Sequence, residues 1–233
     1  MNKFDSIRDF YDNEYYAGDT STSVLPWHSR KIAARLGDMS GKQVLDVACG
    51  TGDWLDYFCH QGAKISGVDL SRKAIGVCLK RFPGADLHCG PAESLPFDER
   101  SFDLVTCMGS LEHFLDKPKA LQEMRRVAKP DARFVILVPN AGFLTRRLRL
   151  YRGTQQVKAR EDVLDLDTWR ALLEASGLHV ITRWRDLHML SWSWIRLGSP
   201  YMWPVRAAQA IALTMWPIAW QYQVYHYCRG ADA

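Results

Sequence analysis

Two acidic side chains, one on each side of a glycine-rich turn, have the clearest chemical meaning in this sequence. Residues 44–54 read VLDVACGTGDW: an apolar, strand-like run containing Asp46, a turn with Gly50 and Gly52, and a helix start at Asp53. Glycine lets the backbone approach a ligand where a side chain would block it. Helix N-terminal N–H groups usually attract phosphate. Carboxylates on both sides of this turn would instead repel a pyrophosphate and favour a cationic ligand.

A second acidic strand end strengthens this interpretation. Residues 64–71 read KISGVDLS, an apolar strand ending in Asp69, 23 positions after Asp46. In a βαβ unit, an acid at this point accepts hydrogen bonds from ribose hydroxyls. The turn lacks the third glycine of the dinucleotide motif, because Leu55 occupies its position. S-adenosylmethionine, a nucleoside with sulfonium and ammonium groups, therefore fits better than NAD or ATP.

Two further segments complete an ordered set of motifs. Residues 90–97 read GPAESLPF, and residues 101–108 read SFDLVTCM. The four segments together follow the order D-x-A-C-G-T-G, V-D-x-S, A-E-x-L-P-F and F-D-x-V. With these motifs the chain resembles the class I S-adenosylmethionine-dependent methyltransferases of the small-molecule type, and is similar to the ubiquinone- and menaquinone-biosynthesis group.

The resemblance implies an α/β, Rossmann-like, doubly wound fold. It would contain a mostly parallel seven-stranded sheet with an antiparallel last strand, N-terminal helices and a helical insert before that strand. The residue pattern predicts strands at 43–48, 64–69, 85–89, 102–108, 133–138, 178–186 and 220–228. It predicts helices at 3–16, 25–37, 53–61, 71–82, 116–129 and 168–176. Such alternation is typical of a sheet covered on both faces.

A single methyltransferase domain over 1–233 is the simplest organisation for this length. We divide it into an N-terminal helical cap, a cofactor-binding core, a basic insert and a tryptophan-rich helical insert, at 1–40, 41–140, 141–167 and 187–219. The basic insert includes Arg146, Arg147, Arg149 and Arg152. A solvated basic face is favoured there over contact with an anionic part of the substrate.

The tryptophan-rich insert is expected to decide the substrate. Counting Trp220 at its edge, it holds five of the nine tryptophans, around an apolar helix predicted at 207–216. This helix is too short to span a bilayer, but it could lie at a membrane interface, where tryptophan is favoured. It could also form a dimer interface or a lid over the substrate pocket. We favour the lid, because so many aromatic side chains need a core to pack against.

The cofactor site is expected at the strand ends, with help from the N-terminal helices. The predicted cofactor-binding residues are Asp46, Ala48, Cys49, Gly50, Thr51, Gly52, Trp54, Asp69, Leu70, Ala92, Glu93, Met108, Tyr16 and Arg30. Tyr16 and Arg30 are included because the resemblance implies a tyrosine or arginine near the methionine carboxylate. Pro91 stands where relatives usually carry an aspartate for adenine, so adenine would rely on the backbone of Ala92 and on Glu93.

Methyl transfer from a sulfonium mainly requires alignment of the reactants and exclusion of water. A hydroxyl acceptor also needs a base, for which histidine is suited. His113, in the segment GSLEHF, is the candidate, with Glu112 either orienting it or facing the substrate; a purely structural histidine is an equal alternative. Related ubiquinone-biosynthesis O-methyltransferases carry a further glutamate where Gly109 stands here, so no metal is expected.

Composition limits the other classes of function. The net charge of +4 and the lack of a base-recognition motif give no reason to expect a nucleic-acid partner. Six cysteines without a C-x-x-C pair indicate thiols in a reducing compartment. A polar N-terminal segment and the lack of a long apolar run predict a cytoplasmic protein, with peripheral membrane association as a variant.

The sequence thus predicts an S-adenosylmethionine-dependent methyltransferase that acts on a small or lipid-linked acceptor, most plausibly at oxygen. Two alternatives stay open. One is a membrane-surface methyltransferase of a prenylquinone or glycolipid. The other is a non-catalytic protein that binds S-adenosylmethionine and serves as a partner.

Overall fold

The computed structural model describes residues 3–16, 24–144, 162–196 and 198–231. The arginines predicted to form a basic face lie outside these residues. The strands are β1 Gln43–Val47, β2 Lys64–Asp69, β3 Asp86–Cys89, β4 Phe102–Met108, β5 Ala128–Pro139, β6 Leu178–Arg185 and β7 Gln223–Gly230. They form one seven-stranded sheet in the order β3-β2-β1-β4-β5-β7-β6.

The described helices flank this sheet. They are α1 Lys3–Phe10, which continues as a π-helical turn over Tyr11–Tyr15, α2 Trp27–Ala34, α3 Asp53–His60, α4 Arg72–Arg81, α5 Lys117–Val127, α6 Leu166–Ala175, α7 Trp192–Ile195 and α8 Trp203–Met215. Short 3₁₀ turns lie at Leu111–His113, His188–Leu190, Pro200–Met202 and Ile218–Trp220.

The sheet confirms the predicted fold class. Strands β1 to β5 pair in parallel, whereas β7 is antiparallel to both β5 and β6. Among the strands, the predicted boundaries differ most at the starts of β5 and β7. Strand β5 starts at Ala128, which pairs with Phe102 before a register shift in β4. Strand β7 starts at Gln223 and not at 220, because the residues before it form a 3₁₀ turn.

Two apolar cores cover the faces of the sheet. On one face, Trp169 of α6 is fully buried and donates its indole Nε1–H to the Pro139 carbonyl over 2.8 Å. On the other face, Ile32 and Ala33 of α2 pack in a core with Phe58 of α3. Helix α2 is therefore part of the sheet's cover. Among the described residues of the predicted cap, the segment 3–16 lies over the carboxyl ends of the strands.

The parallel strands bring the motif residues to one edge. Strands β1, β2 and β4 are neighbours in register, so the loops that follow them emerge side by side. In open α/β sheets, ligands bind outside this carboxyl edge. The described residues form a large cavity there.

Candidate active site

A cavity of about 980 Å³ opens at the carboxyl edge of β1, β2 and β4. Most of the residues predicted from sequence line it: Tyr16, Asp46, Ala48, Cys49, Gly50, Thr51, Trp54, Asp69, Leu70, Ala92, Glu93, Met108, Glu112 and His113. Gly52 belongs to the same turn and shapes it without lining the cavity.

The glycine turn follows a path that side chains would obstruct. Gly50 and Gly52 have φ angles of +53° and +86°, and Ala48 also has a positive φ of 59°. A Cβ atom on Gly52 would lie 2.7 Å from the ring of Phe82 and 3.0 Å from the Cys78 sulfur. The turn therefore needs glycine at residue 52 for both conformation and space.

Asp69 holds the turn from the end of β2. The Gly50 N–H and the Ser71 N–H each donate to one of its carboxylate oxygens over 2.8 Å. Burial raises the pKa of Asp69, and the two backbone donors partly offset that effect. Each carboxylate oxygen can accept a further hydrogen bond. Asp69 can therefore hold the turn and still accept from a ligand in the cavity.

Asp46 is buried at the end of β1. Its carboxylate accepts from the Thr106 hydroxyl over 2.6 Å, and burial raises its pKa to about 7. Asp53, expected to act from the other side of the turn, instead pairs with Arg81 at 3.1 Å. Asp53 also lines the cavity, but Arg81 balances its charge, whereas no described Lys or Arg forms an ion pair with Asp46 or Asp69. Both carboxylates of the sequence argument thus line the cavity, Asp46 without a described cationic partner and Asp53 with one.

The N-terminal segment closes the cavity from above. Arg8 donates to the Leu70 carbonyl over 3.2 Å, and the Ser71 hydroxyl donates to Asp12 over 2.5 Å. These contacts fasten the segment to the end of β2. The hydroxyl of Tyr16 lies 3.0 Å from where a Gly50 Cβ would be, and burial raises its pKa. Tyr16 is therefore placed at the glycine turn, and its contact with the methionine carboxylate stays a prediction.

The structure does not support Arg30 as a cofactor-binding residue. Helix α2 turns Ser29, Ile32 and Ala33 towards the protein interior, which leaves Arg30 exposed. Arg30 is not among the described residues that line the cavity. From the sequence, both N-terminal helices were equally suited to cover the cofactor. Of these two helices, the first lies over the cavity.

Glu112 and His113 follow β4 in a 3₁₀ turn. Glu112 is buried and His113 is half-buried, and both line the cavity. Glu93 holds the segment that follows this turn, because it accepts from the backbone N–H groups of Leu115 and Asp116 over 3.0 and 3.2 Å. At least one oxygen of Glu93 thus has a structural role.

The sequence analysis missed the apolar wall of the cavity. This wall consists of Phe4, Ile7, Phe10, Tyr11, Tyr15, Phe114, Leu115 and Tyr222. The residues of the first helix follow a helical spacing that could have revealed a shared face. Tyr222 lies just before the last strand, and only the sheet order brings it to the cavity.

The described part of the tryptophan-rich insert, expected to be a lid, lies outside the cavity lining. None of its described residues, 187–196 and 198–219, lines the cavity. Helix α8 packs instead against the 3₁₀ turn His188–Leu190. No described helix combines the length and apolar character needed to cross a membrane.

Comparison with known proteins defines the class of this fold and site. Residues 45–136 match the family model described as "Methyltransferase domain". This segment contains the glycine turn and the acidic ends of β1 and β2. The chain therefore carries a methyltransferase domain of the class I, S-adenosylmethionine-dependent type, and the resemblance seen in the motifs is confirmed.

Curated relatives are similar to part of the chain. A demethylmenaquinone methyltransferase of Thermotoga maritima is 34% identical over 141 residues, covering 59% of this chain and 60% of the relative. A phthiotriol/phenolphthiotriol dimycocerosates methyltransferase of Mycobacterium tuberculosis is 39% identical over 101 residues, covering 42% and 37%. The chain thus spans about three fifths of the length of the demethylmenaquinone methyltransferase it matches.

Solved structures agree on the fold. Phosphoethanolamine N-methyltransferase 2 of Haemonchus contortus, in complex with S-adenosyl-L-methionine, superposes with a TM-score of 0.68 at 18% identity. The match covers 99% of this chain and 60% of that one. At this identity the likeness concerns the architecture alone.

Proposed function

We propose that the chain binds S-adenosylmethionine in the cavity and transfers its methyl group to a small or lipid-linked acceptor. The observation that carries this proposal is the position of Asp46 and Asp69, on neighbouring strand ends beside the Gly50 turn. Asp69 would bind the ribose hydroxyls, and the turn would admit the methionine part. The backbone of Ala92 would lie against adenine.

The electrostatics of Asp46 favour a cationic donor. In the free protein its pKa is about 7, because burial disfavours the charged form. A sulfonium or ammonium group nearby would favour the carboxylate and lower this pKa. A phosphate in the same place would do the opposite. The site is thus better suited to S-adenosylmethionine than to a dinucleotide.

The size and lining of the cavity favour an apolar acceptor. Ligand pockets typically measure roughly 300–1,000 Å³, so a cavity of about 980 Å³ has room for donor and acceptor together. Its outer wall includes Phe10, Tyr11, Phe114 and Tyr222. The relatives are named for a quinone and a lipid. We therefore propose a ring or chain carried on a lipid as the acceptor.

For the acceptor atom we propose oxygen, with His113 as the base. The acceptor oxygen would attack the methyl carbon as the carbon–sulfur bond breaks, leaving S-adenosylhomocysteine. The hydroxyl proton would pass to the imidazole of His113. Glu112, the adjacent residue in the same turn, would orient that ring. The support is that both side chains line the cavity at the end of β4.

The test is an assay with methyl-labelled S-adenosylmethionine and a panel of demethylated quinones and hydroxylated lipids. His113→Gln should lower kcat by about 10²- to 10⁴-fold without changing donor affinity. His60→Gln, at an exposed position on α3, is the matched control and should leave kcat unchanged. The product should carry its new methyl group on oxygen by NMR.

The same assay separates the alternatives. An unchanged kcat for His113→Gln, or a methyl group on carbon or nitrogen, would contradict the proposed base and acceptor atom. Tight donor binding with no methylated product from any acceptor would favour the non-catalytic binding protein.

A further inference from the structure

Helix α8 exposes an apolar face where a surface helix usually exposes a polar one. Its exposed positions are Pro204, Val205, Ala208, Gln209, Ile211, Ala212 and Met215, which we call the outer face of α8. Ile211 and Met215 are 62% and 81% exposed. Gln209 is the one polar side chain in this set. A helix with its apolar side towards solvent indicates a binding surface.

Aromatic side chains extend the exposed surface before and after α8. Trp192 is 70% exposed, Tyr201 91% and Trp220 36%. Tryptophan and tyrosine are enriched where a protein meets the boundary between lipid headgroups and acyl chains, because each ring has an apolar body and a polar group. Their exposure on both sides of α8 matches such a boundary.

The charged side chains of residues 187–231 are all basic. From residue 187 to residue 231 the sequence contains no Asp or Glu, although the chain has 26 of them in 233 residues. The Arg196 guanidinium stacks 5.1 Å from the ring centroid of Trp192, and Arg206 stacks 5.2 Å from that of Trp194. Neither arginine pairs with a carboxylate of a described residue. The surface around α8 is thus apolar and cationic.

We propose that the outer face of α8, with Trp192, Tyr201 and Trp220, docks on an anionic lipid bilayer. Apolar helices with basic and indole side chains bind in the interfacial plane of such membranes. A second copy of the chain fits less well, because a two-fold contact would place arginines against arginines with no acid to balance them. The charge therefore favours a lipid surface.

The position of α8 connects this surface with the cavity. The Gln221 side chain donates to the Leu213 carbonyl of α8 over 2.6 Å, and Arg185 donates to the Trp216 carbonyl over 3.0 Å. Tyr222 and Gln223, the next residues along the chain, line the cavity. Docking would hold the cavity beside the bilayer. This role in acceptor delivery rests on the proposed function, whereas docking itself does not.

The experiment is co-sedimentation of the full chain with vesicles of phosphatidylcholine, either alone or mixed with phosphatidylglycerol. Anionic vesicles should bind the chain about tenfold or more tightly than neutral ones, since each arginine near such a surface strengthens binding by about fivefold. Met215→Asp and Ile211→Asp should each weaken binding about tenfold. Ile181→Asp is the matched control, because Ile181 is 57% exposed on β6 and should bind as the wild type does.

Several results would overturn the proposal. These are equal binding to neutral and anionic vesicles, wild-type binding by both α8 variants, and a concentration-dependent dimer that Ile211→Asp abolishes while no vesicles bind. A thermal melt shows that each variant is folded. Donor affinity, measured by calorimetry on the same samples, should be unchanged by the α8 variants. Vesicle binding by a chain that ignores S-adenosylmethionine would contradict the proposed function and leave the docking surface supported.

Discussion

The glycine turn and the outer face of α8 differ in how their neighbours constrain them. In the turn, a methyl group on Gly52 would collide with the ring of Phe82. On the outer face of α8, Met215 is 81% exposed and contributes apolar surface that the chain itself does not bury. The turn is thus determined by contacts within the protein. The apolar composition of the outer face instead indicates a surface that binds a partner outside the chain.

Two methionines test this contrast most strongly. Met124 of α5 is fully buried and Met215 of α8 is exposed, although both lie on helices. Met124→Ala should lower the free energy of unfolding by about 2–5 kcal/mol, because it leaves a cavity in the core. Met215→Ala should change it by less than about 0.5 kcal/mol. Urea denaturation measures both, and similar losses would mean that α8 packs against the chain after all.

Two glycines sharpen the account of the turn. Gly52→Ala should cost about 2–4 kcal/mol, since it adds a collision to the strain of a positive φ. Gly84 has a φ of +93° and no atom within 4 Å of its would-be Cβ. Gly84→Ala should therefore cost only the backbone strain, about 1–2 kcal/mol. Equal losses of unfolding free energy would show that the space at residue 52 does not matter.

Replacing Asp69 tests the proposed ribose contact. Asp69→Asn should weaken S-adenosylmethionine binding about 10- to 100-fold, as expected when hydrogen bonds to a charged acceptor are lost. Asp86→Asn, at an exposed position on β3, should leave the affinity unchanged. Because Asp69 also accepts from Gly50 and Ser71, a thermal melt must accompany the titration. A folded Asp69→Asn chain with wild-type affinity would refute the contact.

The pKa of Asp46 predicts a pH dependence with a definite sign. Burial raises the folded-state pKa of Asp46 to about 7. The protonated carboxyl therefore stabilises the ligand-free folded protein, fully below about pH 4, and this stabilisation is lost as pH rises through about 7. A bound cation needs the carboxylate, so donor affinity should fall by up to about tenfold per unit as pH decreases below 7. Asp46→Asn should flatten this profile. A flat wild-type profile would remove Asp46 from the donor site.

The sequence predicted most accurately the strands and turns that local backbone preferences determine. Strands β2 and β4 lie at the predicted residues 64–69 and 102–108. The glycine turn between the acidic ends of β1 and β2 was recognised because few residues tolerate its geometry. These positions also include most of the predicted residues that line the cavity.

What sequence could not predict depends on how elements pack against each other. Arg30 lies on a helix whose buried face joins the core, and Asp53 is balanced by Arg81 from α4. Neither fact follows from local spacing. Helix α8 reads like a core helix, since its apolar composition does not show which side faces solvent. The sequence therefore did not predict that the described residues of this insert lie outside the cavity lining.

Isothermal titration calorimetry of the full chain with S-adenosylmethionine, and separately with NADH, tests the central claim most directly. The account predicts saturable binding of S-adenosylmethionine and no binding of NADH, whose pyrophosphate the carboxylates of Asp46 and Asp69 would repel. Binding of NADH without binding of S-adenosylmethionine would contradict the account.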